Sequence, residues 1–145
     1  GLRATELVNL DLNNIDLGNM VVNVYGKGSK ERIVPLSHVC VNYLDLYINK
    51  YRSKLFVKKQ KPTDSLFLNN HGNRMTRQGL YKIIGDIMKK SIFDYIVSHP
   101  NCKSTDIASC VGLQISQTKW YLNQLTEEGK ILPLGANRNR TYCAK

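Results

Sequence analysis

The chain has 145 residues, with 21 Lys and Arg against 11 Asp and Glu, a net charge of +10. That excess, most of it before Ser91, is the electrostatic footprint of a polyanion binder. The longest apolar runs are too short to cross a bilayer and no signal-peptide pattern opens the chain, so a cytosolic protein without a membrane partner is expected. The length suits one domain or two small ones. Gly1, in place of an initiating Met and followed at once by dense motif residues, reads as the start of a piece of a longer protein.

In chain order, Leu2, Leu7 and Leu10 around Glu6 fit the end of a helix. Val22 and Val24, then Ile33 and Leu36, alternate on either side of Gly26-Lys27-Gly28-Ser29, which reads as a β-hairpin, with Pro35 near a strand end. Residues 38–58 predict a helix that runs into a basic segment, six Lys and Arg without an acid from Lys50 to Lys61. A short strand over Ser65–Leu68 and a turn over Asn69–Asn73 follow. Thr76 is the expected N-cap of a helix with Leu80, Ile83, Ile84 and Ile87 on its apolar face.

The character changes near Met88–Ser91. A separate helix is expected over residues 92–99, with Ile92, Phe93 and Ile96 apolar, then a turn over Pro100–Lys103. Ser104 or Thr105 should cap a short helix that stops at Gly112. Ile115–Glu128 should form a longer amphipathic helix, with Trp120 and Leu125 in the core and Gly129 as its stop. Ile131–Leu134 and Thr141–Cys143 can pair as strands around a loop of Asn and Arg.

Four segments, GLRATELVNL, NNIDLG, GKGSKERIVPL and LFLNNHGNRMTRQGL, occur in this order over roughly residues 1–90. Together they resemble the catalytic domain of tyrosine recombinases of the phage-integrase and Xer type. The resemblance implies that Arg3, in GLR, and Lys27, in GKG, derive from catalytic residues. In that chemistry a tyrosine attacks a DNA phosphodiester. A planar guanidinium can clamp two non-bridging oxygens of the phosphate, and a Lys on a hairpin can protonate the leaving 5′ oxygen. The family's His-x-x-Arg, its later His or Trp, and its nucleophilic Tyr do not occur in their expected context. His71-Gly-Asn-Arg74 has the His-x-x-Arg spacing but falls in the turn before Thr76, so it is set aside. DNA-contact candidates in this part are Lys30 and Arg32 on the hairpin and Thr76, Arg77 and Gln78 at a helix start, where N–H groups can meet a phosphate. The Lys50–Lys61 run is as readily a solvated face.

Residues 91–143 are similar instead to a winged helix-turn-helix module: helix, short helix, tight turn, longer helix, two strands. NQLTEEGKI resembles the junction of recognition helix and wing. The resemblance implies that Gln114, Ser116, Gln117 and Lys119 meet base edges in the major groove, and that Arg138 and Arg140 in the wing meet phosphate or the minor groove. A protein-protein module is the alternative. Tyr142 reads as a wing residue rather than a nucleophile.

Cys40, Cys102, Cys110 and Cys143 lack C-x-x-C spacing, so scattered reduced thiols and no metal or other cofactor are expected. The fold class is α+β: a partial recombinase catalytic domain over 1–90 and a winged helix-turn-helix over 91–145. The abrupt join suggests a gene fusion or a degenerate mobile element. The expected function is binding of double-stranded DNA in recombination or integration, without independent cleavage. A winged-helix regulator and an active strand-transferase using an unrecognised Tyr are the rivals. Self-association through exposed apolar surface is a further expectation.

Overall fold

In the computed structural model the structure describes residues 1–26, 30–55, 63–136 and 139–145. They divide into two compact units, Gly1–Tyr81 and Lys82–Lys145. Both mix helices with a small antiparallel sheet.

The first unit opens with α1 (Ala4–Val8), started at an extended Arg3 whose backbone N–H donates to Glu6 Oε2 at 2.7 Å. That reach-back satisfies an amide the helix itself leaves unpaired. A three-stranded sheet follows, in order β1 (Ile15–Asp16), β2 (Val21–Tyr25), β3 (Glu31–Pro35). The Asp16 carboxylate accepts from the backbone and side-chain nitrogens of Asn19, which holds the β1–β2 turn. The hairpin is present, and its register sets Val22 against Val34 and Val24 against Arg32. Partners across a ladder share a face, so Val34 and Arg32 turn inward while Ile33 is 66% exposed. Ile33 therefore belongs to the outer face, contrary to the apolar alternation read from the sequence. β1 was also not anticipated: two residues are too few to show a period of two.

α2 (His38–Leu46), capped by Ser37 Oγ accepting from Cys40 N–H, continues through one π turn at Tyr47–Tyr51 into α3 (Arg52–Leu55). The core collects Leu10, Val22, Val24 and Leu66, with Leu7, Val34 and Leu44 among the residues packed against it. Two arginines tie this unit together. Arg52 is buried and donates to the carbonyls of Thr63 and Ser65. Arg74 donates to the carbonyls of Val8 and Leu10 and pairs with Asp11. A guanidinium withdrawn from water needs such acceptors. The expected strand at 65–68 is reduced to two isolated bridges, Asp11 to Ser65 and Leu68 to Arg74.

Thr76 Oγ1 accepts from Gly79 N–H at 3.0 Å and caps α4, a single helix from Arg77 to Ser98. Two helices parted near Met88–Ser91 were expected. A change in composition is no helix breaker, and neither Gly nor Pro lies between Gly85 and Pro100. Ile83, Ile84 and Ile87 are exposed, whereas Ile92 and Ile96 are fully buried.

In the second unit the C-terminal part of α4 packs with α5 (Ser104–Val111) and α6 (Ile115–Glu127). Its sheet runs in the order β4 (Cys102–Lys103), β6 (Thr141–Ala144), β5 (Ile131–Leu134). Cys102–Lys103, expected as part of a turn, pairs with Tyr142 and Thr141. The cap of α5 is the Lys103 backbone, whose N–H donates to Asp106 Oδ2 at 3.2 Å, rather than Ser104 or Thr105. Gly112, with φ at +68°, turns α5 into α6. The core is Ile92, Ile96, Cys102, Ile107, Leu122, Leu125, Ile131 and Tyr142. Trp120, expected there beside Leu125, is instead 56% exposed. The inward positions of α6 are Thr118, Leu122 and Leu125, and a residue two places from Thr118 points to the other side of the helix.

Candidate nucleic-acid interface

On the first unit, α1 and the hairpin bring Arg3, Lys30 and Arg32 to one edge. Gly26, Lys30, Arg32 and Arg3 line a single shallow depression. Lys27 lies outside the described residues; on either side of it, Gly26 N–H donates to the Lys30 carbonyl at 2.8 Å. Glu6 organises this edge. Its carboxylate receives both terminal nitrogens of Arg32, at 2.9 and 2.8 Å, together with Arg3 Nη1 at 3.1 Å. The Arg32 hydrogen bonds, then the Arg3 backbone N–H, hold the Glu6 carboxyl down at about 2, against an ordinary 4.5. Arg32 is correspondingly pushed up by its bond to Glu6.

The two arginines are placed differently by this arrangement. Arg32 is fastened through both ends of its fork, which favours a strut between α1 and β3 over a mobile phosphate contact. Arg3 is held on one nitrogen only and its side chain is 76% exposed, so most of its donors face solvent. Glu6 was not singled out in the sequence. Its signal was the three-residue step from Arg3 that marks a helix start.

Thr76, Arg77 and Gln78 are all exposed at the N-terminus of α4, with the Thr76 hydroxyl occupied as the cap. Arg74 is committed to backbone carbonyls and Asp11, and the His71 backbone N–H donates to Asn69 Oδ1 within the turn. The basic segment divides by burial: Arg52 turns inward, while the Lys50 and Lys54 ammonium groups lie over the Tyr51 ring at 5.7 and 5.4 Å. Residues 56–62 lie outside the described residues.

On the second unit the structure separates the α6 candidates. Lys119 and Arg140 line one cleft of about 600 Å³, with Lys103, Ser104, Thr105, Ile115, Asn123 and Tyr142. Gln114, Ser116 and Gln117 are exposed at the start of α6. Ser116 and Gln117 line a different depression, with Trp120 and Met88. Arg138 lies outside the described residues. Lys103 and Asn123 were missed in the sequence. Asn123 follows Lys119 by four residues and so shares its helix face, a signal that was legible, whereas Lys103 reaches the cleft only because β4 pairs with β6. Tyr142 is 5% exposed within β6. Among the described residues, no group of three or more His, Cys, Asp or Glu is placed to hold a metal. No described helix is long and apolar enough to cross a membrane.

A family model described as phage integrase family matches residues 1–101, and one described as FaeA-like protein matches residues 88–138. Tyrosine recombinase XerD of Oceanobacillus iheyensis is 44% identical over 100 residues, 68% of this chain and 33% of the relative. Tyrosine recombinase XerD of Staphylococcus haemolyticus is 48% identical over 84 residues, 58% of this chain and 28% of the relative. The chain thus spans about a third of the length of these relatives. The crystal structure of XerA recombinase matches with a TM-score of 0.51 at 20% identity, over 87% of this chain and 53% of that one, which is a likeness of fold.

Proposed function

The chain belongs to the phage integrase family, and from that premise we propose that it binds double-stranded DNA in site-specific recombination or integration and does not cleave it unaided. The observation that carries this reading is Arg3: a guanidinium tethered at one nitrogen and otherwise exposed, on the edge that the GKG hairpin borders. Such a group is suited to hold a DNA phosphate through two oxygens, with Lys27 as proton donor in the ancestral reaction. Cleavage also needs a nucleophile and further phosphate ligands, and residues 91–145 present no His-x-x-Arg or Tyr in the family's context. In this reading the second unit is a winged helix-turn-helix: α6 enters the major groove with Gln114, Ser116, Gln117 and Lys119, and the β5–β6 loop, with Arg138 and Arg140, follows the backbone. A cytoplasmic location and an origin in a mobile genetic element accompany it.

The test is duplex binding across a salt series, run beside covalent trapping with a nicked suicide substrate. Binding that weakens steeply with salt and leaves no adduct is expected. A phosphotyrosine adduct lost on Tyr142→Phe would replace this reading with an active strand-transferase. The match of residues 88–138 to a different family model favours a second reading, a DNA-binding regulator whose first unit is vestigial. It is separated by Arg3→Gln, which weakens duplex binding under the first reading and leaves it unchanged under the second.

A further inference from the structure

We propose that the cleft between the β4–β6 edge and α6 is a clamp for one phosphodiester of a DNA strand, built from Lys103, Lys119 and Arg140. The three cations come from three places in the sequence: the end of β4, the second turn of α6 and the residue before β6. All three are exposed, and all line the same cleft. None pairs with a carboxylate among the described residues, although Arg3, Arg32, Arg74, Lys89 and Lys130 all do. Three like charges facing one concavity repel one another, and an anion seated between them relieves that repulsion.

The remaining lining suits a phosphodiester. Ser104 and Asn123 supply neutral donors beside the cations. Asp106, the acid of the first turn of α5, is turned to the Lys103 backbone N–H and the Thr105 hydroxyl, and it is not part of the lining. The exposed Ile115 side chain gives the cleft an apolar wall, against which a sugar can rest. A contact of this kind carries no sequence information. It fixes the depth and register of α6 on the duplex while side chains at the start of the helix meet the bases.

This inference rests on the DNA-binding reading above, and its test keeps the two apart. The full chain, its variants Lys103→Gln, Lys119→Gln and Arg140→Gln and the triple variant are titrated with a fluorescent duplex over a range of KCl. Lys90→Gln, which removes one charge of the same unit outside the cleft, is the control. The triple variant should lower the slope of log affinity against log salt by about 0.9, the signature of one lost phosphate contact, and each single variant by a part of that, equally on unrelated sequences, with the control unchanged. A wild-type slope in the triple variant would overturn the clamp while leaving DNA binding intact. Equal losses in the control would assign the effect to net charge and overturn it too. Absence of salt-sensitive binding by the unaltered chain would overturn both. A parallel titration with phosphatidylserine vesicles should show no dependence on the three residues; a matching loss there would give the cleft to membrane phosphates and overturn the assignment to DNA.

Discussion

Two glutamates show how single residues hold this protein together. Glu6 lies between Arg32 and Arg3, and Glu128 accepts from Lys130 at 2.7 Å and Lys89 at 2.6 Å. The Lys130 hydrogen bond, then that of Lys89, brings the Glu128 carboxyl to about 2, as Arg32 does for Glu6. Because each folded-state value lies below the ordinary 4.5, the stabilisation is complete above about pH 4.5 and is lost as pH falls toward 2. Urea unfolding at neutral and at acid pH should therefore show acid destabilisation, reduced in Glu6→Gln and reduced further in the double variant with Glu128→Gln. An undiminished pH dependence in the double variant would show that other carboxylates carry it. Glu6 has a second consequence. Releasing Arg32 loosens the strut between α1 and β3, so Glu6→Gln should weaken duplex binding along with Arg3→Gln.

At the scale of elements, the turn between α5 and α6 depends on Gly112. Its φ of +68° is left-handed, and a Cβ there would meet nothing within 4 Å, so the strain is purely conformational. Gly112→Ala should cost about 1 kcal/mol in chemical denaturation. Gly135, at φ +75°, begins the β5–β6 loop with a Cβ position 2.9 Å from the Asn139 carbonyl oxygen, and Ala there should cost more because strain and clash add. Along α6, Leu122→Ala removes a fully buried side chain and should cost about 2–5 kcal/mol. Trp120→Ala should change stability by about 0.5 kcal/mol or less, despite Trp120 being the larger residue. A loss at Trp120 equal to that at Leu122 would contradict the outward placement of this ring.

For the whole molecule the governing quantity is charge. With a net charge of +10, association with DNA releases counterions. If the two units together neutralise six or more phosphates, affinity should fall on the order of a thousandfold between roughly 50 and 200 mM salt. Fluorescence anisotropy across that range measures the slope, and a flat profile would remove nucleic acid from consideration. The division of the chain also belongs to this scale. The first family model runs to residue 101 and the second begins at 88, while the units part between Tyr81 and Lys82. The composition shift placed that division near Met88–Ser91, inside what proved to be one continuous helix.

Local grammar was legible from residues alone: the hairpin around GKG, the Thr76 cap, the Gly112 turn, the α6 span, and the motif order that identified the family. These are decided by backbone sterics and short-range hydrogen bonding, whose partners lie within a few positions in sequence. Which side of an element faces inward, and which distant residues meet, was decided only by tertiary structure. Ile33 and Trp120 are apolar yet point outward, because ladder register and the phase of the buried helix stripe are set by packing against other elements. Arg32 and Glu6 lie far apart in sequence, as do Lys103 and Arg140. Long-range partners leave no periodic trace, so the pairing of Arg32 with Glu6 could not be read from the sequence. The cleft of three cations was invisible for the same reason: it exists only once β4 pairs with β6 and α6 packs beside them.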